Sequence, residues 1–264
     1  MIHTRDARPI AAALVTGVSR SGGIAAAVVR ALARDGWSVA GTGYRPYDET
    51  ESWGSEPDTP DLLRREGLLA GWHEDDLEDV AAVPRVLDAA EGAVGPLTAL
   101  VNVHVRSGEG GVLDTSAEEF DRHMAINARS VLLLSAEFAR RFRGTPGTGR
   151  IVNFTSSALH GELAYGVSKA AVEAITVAAA IDLAPAITVN AIEPGPTDTG
   201  WMTPELYDLI RTASPLGRVG LPEDAAELVA FLCSERAGWI TGEIIYSDGG
   251  FSLRQTVRRG RRPL

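Results

Sequence analysis

Tyr165-Gly166-Val167-Ser168-Lys169 sets a phenol and an amine four residues apart, on one face if the segment is helical. A phenol with a pKa near 10 is a poor proton carrier at neutral pH. A neighbouring ammonium favours the phenolate and draws that pKa down, so the pair suits general acid–base work on an oxygen. Lys169 is the single lysine among 25 lysine and arginine residues. Elsewhere the side-chain cation is an arginine; here it is a compact, flexible ammonium instead of a planar fork.

A second chemical signal lies near the start. Leu14-Val15-Thr16-Gly17 reads as the end of a strand, and Val18-Ser19-Arg20-Ser21-Gly22-Gly23-Ile24-Ala25 leads into a helix. A glycine-rich turn between strand and helix lets backbone N–H groups approach a pyrophosphate, and the helix N-terminus favours its charge. On the first strand of an alternating α/β chain, this is where a dinucleotide site belongs. A carboxylate closing the second strand would then bind a ribose 2′-hydroxyl and select NAD(H). That strand ends Gly41-Thr42-Gly43-Tyr44-Arg45, with no carboxylate, and Arg20 stands in the turn. Two guanidiniums there would suit the 2′-phosphate of NADP(H). Asp48 and Glu49 keep NAD(H) open, because a folded-back loop could bring either to the ribose.

These residues need a scaffold. Apolar runs at 11–16, 38–43, 68–73, 97–102, 150–155, 187–192 and 243–247 are near-continuous, as parallel strands covered on both faces require. Helical patterns near 24–35, 78–91, 117–141, 163–184 and 222–234 alternate with them. That rhythm implies right-handed crossovers and an α/β, doubly wound parallel sheet of seven strands with helices on both faces. No linker or repeat divides the chain, so one domain over 1–264 is expected. Residues 44–60, rich in Pro, Ser, Gly and acids, read as a surface loop. Residues 195–222, with Trp201, Met202, Leu206 and Tyr207, read as a substrate flap.

Composition narrows the partners. A net charge of -10 and a pI near 5.0 argue against nucleic acid. The cluster Arg258, Arg259, Arg261 and Arg262 reads as a solvated tail. Cys233 is the only cysteine, in an apolar helical stretch, and reads as a small buried hydrophobe. Together with a polar N-terminus and the lack of an uncharged apolar run of membrane length, this leads to the expectation of a cytoplasmic protein with no membrane partner. Five scattered histidines give no metal-ligand spacing.

The turn, the Tyr165/Lys169 pair and the strand rhythm together resemble the short-chain dehydrogenase/reductase family over about residues 10–251. Gly17, Gly23 and Ala25 match the family's turn, with one extra residue in the loop and alanine in place of the last glycine. The resemblance implies a Rossmann-type fold and hydride transfer between NADP(H) and a carbonyl or alcohol, as in ketoreductases. In that reading Tyr165 moves the proton, Ser156 orients the substrate oxygen, and Lys169 holds the nicotinamide ribose. Asn127, in Met124-Ala125-Ile126-Asn127, kinks a helix and holds a relay water. Cofactor contacts fall on Gly17, Ser19, Arg20, Gly23, Ile24, Arg45, Asp76, Leu77, Asn102, Tyr165, Lys169, Pro194, Gly195, Thr197 and Thr199. Asp76 reads equally as a helix cap. A small-molecule substrate and a homotetramer or homodimer are also implied.

Two departures stand out. Ser156 lies nine residues before Tyr165, closer than in the family, which leaves Ser157 as an alternative and shortens one wall of the pocket. After the fourth strand the family's alanine–glycine turn is replaced by Val103-His104-Val105-Arg106. His104 and His160 then read either as substrate contacts or as hydrogen-bonded structural histidines. The same scaffold could also run an epimerisation or dehydration with retained cofactor, or serve as a non-catalytic sensor.

Overall fold

The computed structural model describes residues 11–51, 53–156 and 162–253. Ser157, His160 and the C-terminal arginines lie outside these. The sheet is wholly parallel, in the order β3-β2-β1-β4-β5-β6-β7. The strands are β1 (Ala12–Thr16), β2 (Ser38–Gly43), β3 (Gly71–Glu74), β4 (Ala99–Asn102), β5 (Gly149–Phe154), β6 (Ile187–Glu193) and β7 (Ile244–Tyr246). The order reverses between β1 and β4. That switch point opens a crevice at the carboxyl ends of the strands, where ligands bind in open α/β sheets.

One face of the sheet is covered by α1 (Ile24–Arg34) and α9 (Pro222–Cys233), which pack on each other and bury Val28, Leu32, Val229 and Leu232. The other is covered by α4 (Ala82–Val94), α6 (Ser130–Arg141) and α7 (Leu163–Asp182), around Leu87, Leu134, Phe138 and Val189. Ala25 is buried in α1, so the position accepts its methyl group. Cys233 is buried, and desolvation pushes its thiol up to about 12, far from a nucleophile's range.

Several expected boundaries shift. The run 68–70 pairs only at its end: Leu69 packs into the core beneath β2, and strand pairing starts at Gly71. The expected loop at 44–60 contains α2 (Arg45–Thr50) and the start of α3 (Thr59–Arg65). The expected helix at 117–141 is α5 (Ala117–His123) and α6 joined by a π-helical turn, Met124–Arg129. Residues 195–222 carry α8 (Pro204–Ala213), which Thr203 caps through the N–H of Leu206.

Candidate active site

The β5 strand and α7 bring the chemical residues together. Thr155 donates to the carbonyl of Lys169 at 3.0 Å, tying the strand end to the helix. The Lys169 ammonium is buried and donates to the Phe154 carbonyl at 2.9 Å. It also lies 5.9 Å from the centre of the Tyr165 ring. Ser156 hydrogen-bonds Tyr165. Thus Ser156, Tyr165 and Lys169 form one group.

Their electrostatics depart from expectation. The Tyr165 phenol is pushed up to about 12, above its ordinary value, instead of being depressed. Burial is the largest cause; the hydrogen bond from Ser156 opposes it, while Glu162, Glu193 and Tyr47 add to it. Burial also lowers Lys169 to about 8. On the protein's own groups, Tyr165 is therefore a proton donor over the whole neutral range.

Asn127 occupies the π-helical turn, a distortion that often marks functional positions. Its amide carbonyl accepts from the Arg106 N–H at 2.7 Å. Its NH2 donates to the Arg106 carbonyl at 2.8 Å and to the Ser168 hydroxyl at 2.9 Å. The side chain therefore clamps the loop after β4 to α7. Replacing Asn127 with alanine should leave these buried partners unmet, at a cost of about 3 kcal/mol. A fall in Tm of about 6–12 °C is expected in a thermal melt.

His104 is the residue that fills the altered turn. Nδ1 stands 2.6 Å from the Thr16 hydroxyl, and Nε2 stands 2.7 Å from the Ser130 hydroxyl and 3.1 Å from the Ile126 carbonyl. Thr16 already accepts from the Val103 and His104 N–H groups, so the network assigns its proton to Nδ1 and the ring proton to Nε2. Desolvation first, and then the Lys169 charge, hold the ring down to about 3. His104 is thus a neutral tie between β1, the β4 turn and the π-helical turn. Gly17 is required by the same arrangement: its φ is +79°, and a Cβ there would lie 2.9 Å from the His104 Cα.

A cleft of about 480 Å³ runs along the switch point, lined by Gly17, Ser19, Gly23, Ile24, Asp76 and Leu77, among others. Arg20 and Thr199 also line it. Asp76 lines the cleft, but it does not cap the next helix, which starts at Ala82 with Ala81 as its N-cap; its carboxylate accepts the Glu78 N–H at 2.8 Å and closes a turn ahead of that helix. It also takes a hydrogen bond from Tyr44.

Other expected contacts are placed differently. Arg45 does not reach the cleft lining; its Nε (at 2.9 Å) and Nη2 both donate to one carboxylate oxygen of Glu74, the other oxygen takes the Arg45 N–H, and the guanidinium lies over Trp72. Arg20 crosses to the Thr199 carbonyl, so the two guanidiniums do not converge at the end of β2. Asn102 turns its amide into the sheet, to Asn153 at 2.9 Å. Thr197 is buried, with its hydroxyl 3.2 Å from the Gly195 carbonyl. Pro194 and Gly195 do not line the cleft. Gly195 has φ +63° and meets Asp248, where a Cβ would fall 2.5 Å from the aspartate Cβ, so its glycine serves backbone packing.

The sequence reading missed Tyr47. From α2 it reaches across to the loop after β4, where it takes the Ser107 N–H at 3.0 Å and meets the Ser107 hydroxyl at 3.1 Å. The Arg106 guanidinium lies 5.6 Å from its ring centre. Three aromatic residues, Tyr44, Tyr47 and Trp53, in an otherwise polar, proline-containing stretch were the available signal.

The sequence profile of the family described as Enoyl-(Acyl carrier protein) reductase matches residues 17–252. An uncharacterized oxidoreductase, YjdA, of Bacillus subtilis (strain 168) is 40% identical over 245 residues, covering 90% of this chain and 96% of the relative. An NADPH-dependent aldehyde reductase-like protein, chloroplastic, of Arabidopsis thaliana is 34% identical, with 90% and 93% covered. Among solved structures, the angucycline C-6 ketoreductase LanV with bound NADP matches with a TM-score of 0.80 and 30% identity, over 92% of this chain and 96% of that one. The chain belongs to the short-chain dehydrogenase/reductase family of NAD(P)-dependent oxidoreductases.

Proposed function

We propose that the chain is an NADP(H)-dependent reductase of carbonyl compounds, running the reverse oxidation with the same groups. The observation that carries this is the Ser156, Tyr165 and Lys169 group, with its phenol held protonated. The dinucleotide part is supported by the cradle: Gly17 with no room for a side chain, the uncapped start of α1 and the cleft beside them. Gly17, Ser19, Gly23, Ile24, Asp76 and Leu77 would hold the cofactor, which supplies the hydride when bound. Tyr165 gives its proton to the developing alkoxide, and Ser156 positions the oxygen that receives it. Lys169 keeps a cation beside the phenol and would hold the nicotinamide ribose. Asn127 holds the β4 loop against α7, so the proton path keeps its geometry.

The preference for NADP(H) is supported by the NADPH-dependent relative and by the ketoreductase with bound NADP. The chain's own contribution is restrained by the Arg45–Glu74 pair. Titration of the purified protein with NADPH and NADH, followed by nicotinamide fluorescence, should give saturable binding that is tighter for NADPH. Tighter NADH would refute the cofactor choice, and no binding of either would refute the dinucleotide reading. Glu74→Gln, which releases Arg45, should widen the NADPH-over-NADH ratio by about tenfold, the worth of one charge-assisted contact to phosphate.

A further inference from the structure

Tyr47 and Trp53 line the cleft together with Arg20 and Arg106. The two aromatic rings meet edge to face, with centres 6.3 Å apart. On one side, the Arg20 guanidinium lies 5.3 Å from the Trp53 ring centre and donates to the Thr199 carbonyl at 2.8 Å, in the loop that follows β6. On the other, the Arg106 guanidinium lies 5.6 Å from the Tyr47 ring centre, and the Tyr47 hydroxyl takes the Ser107 N–H at 3.0 Å. A line of touching side chains therefore runs from the loop after β6 to the loop after β4. It crosses the switch point, where a dinucleotide lies in open α/β sheets.

The element that carries Tyr47 is lightly anchored. Of the six residues of α2 only Asp48 is buried, and it accepts the Trp53 indole N–H at 3.1 Å. The helix makes no extensive contact with another helix or strand. Arg45 roots its start on Glu74, and Tyr47 ties it across the cleft. Elements with so few buried contacts open at low cost. Just past Trp53, Gly54 has φ +71°, and a Cβ there would meet nothing within 4 Å. Backbone freedom, and not space, is what glycine supplies at that position. The far side of the tie is firm, because Asn127 grips both the N–H and the carbonyl of Arg106.

We propose that α2 is a lid over the dinucleotide cleft and that Tyr47 is its latch, a positioning residue that sets how often the cofactor enters and leaves. This rests on the dinucleotide reading above. The latch joins one part of the protein to another and not the protein to the cofactor, so it restrains passage in both directions. Weakening it raises the population of the open form by the worth of the lost bond. Entry and exit then quicken by the same factor, and the dissociation constant, which is their ratio, stays nearly fixed.

The test uses the full chain and stopped-flow nicotinamide fluorescence. Mixing with NADPH or NADH gives the entry rate, and displacement by excess oxidised dinucleotide gives the exit rate. Tyr47→Phe, which keeps the ring and loses the bond to Ser107, should raise both rates about fivefold for both dinucleotides, with the dissociation constants within about twofold of wild type. Tyr47→Leu, which also removes the ring between Trp53 and Arg106, should raise them further. Hydrogen exchange of the Ser107 amide, followed by NMR, should quicken by a similar factor in Tyr47→Phe. A faster exit with unchanged entry would make Tyr47 a direct cofactor contact and overturn the lid. So would unchanged rates in a Tyr47→Phe variant with a wild-type melting curve. If the wild-type chain binds neither dinucleotide, it is the dinucleotide reading that fails, and the lid falls with it.

Discussion

Tyr165→Phe should lower the rate of carbonyl reduction by about 10²- to 10⁴-fold while changing the NADPH dissociation constant by no more than about twofold. The ring remains and only the hydroxyl is lost, so packing against Lys169 and the start of α7 is kept. The proton then has no donor beside Ser156. The pH profile gives a second, independent reading. Because burial holds the phenol near 12, the donor form persists throughout the neutral range, and reduction should not fade with Tyr165 titration below about pH 10. Oxidation needs the phenolate and should climb with pH over the same range. Undiminished reduction by the phenylalanine variant, measured by NADPH consumption, would take the proton from some other group.

Lys169→Met separates function from stability. The folded chain holds this ammonium near 8, against 10.5 for the free side chain, and desolvation is the cause. Below about pH 8 both folded and unfolded states carry the proton, and the burial cost of about 3 kcal/mol is fully present. Between 8 and 10.5 the folded state sheds its proton first, and the cost fades. Methionine removes the charge at similar length but also removes the bond to the Phe154 carbonyl, which returns about 1–2 kcal/mol. The net expectation at pH 7 is a Tm higher by about 2–8 °C, with turnover down about 100-fold or more. The Tm advantage should shrink as the pH rises past 8. A variant that is both less active and less stable at pH 7 would make the lysine a net structural asset.

How far the sequence carries the site can be judged from particular residues. The strand runs are legible because both faces of a parallel sheet are covered, leaving little room for polar alternation. Tyr165 and Lys169 are legible because their relation is local, one helical turn. The partner of Arg45 is 29 residues away on a neighbouring strand, and that of Arg20 is 179 residues away. No local pattern reports on either. The helix at Arg45–Thr50 has six residues, too few for an apolar period, and is held by the long-range bond from the Ser107 N–H to the Tyr47 hydroxyl and by the local bond from the Trp53 indole to Asp48. Leu69 reads as strand because burial and strand pairing leave the same apolar trace. His104 had two readings in the sequence; the hydroxyls of Thr16 and Ser130 on either side of its ring support the structural one, and the ring also lines the cleft.

The sole lysine has a further consequence for anyone handling the protein at the bench. Its ε-amine is the one side-chain amine open to acylating reagents, and it sits 3% exposed on α7, facing the end of β5. With its pKa near 8, the amine has a substantial neutral, nucleophilic fraction under mildly alkaline conditions, so access and not protonation limits the reaction. The rate at which a small acylating reagent adds one mass to this side chain therefore times the opening of the Phe154 contact. A ligand that closes the site would slow that clock without any label having been introduced.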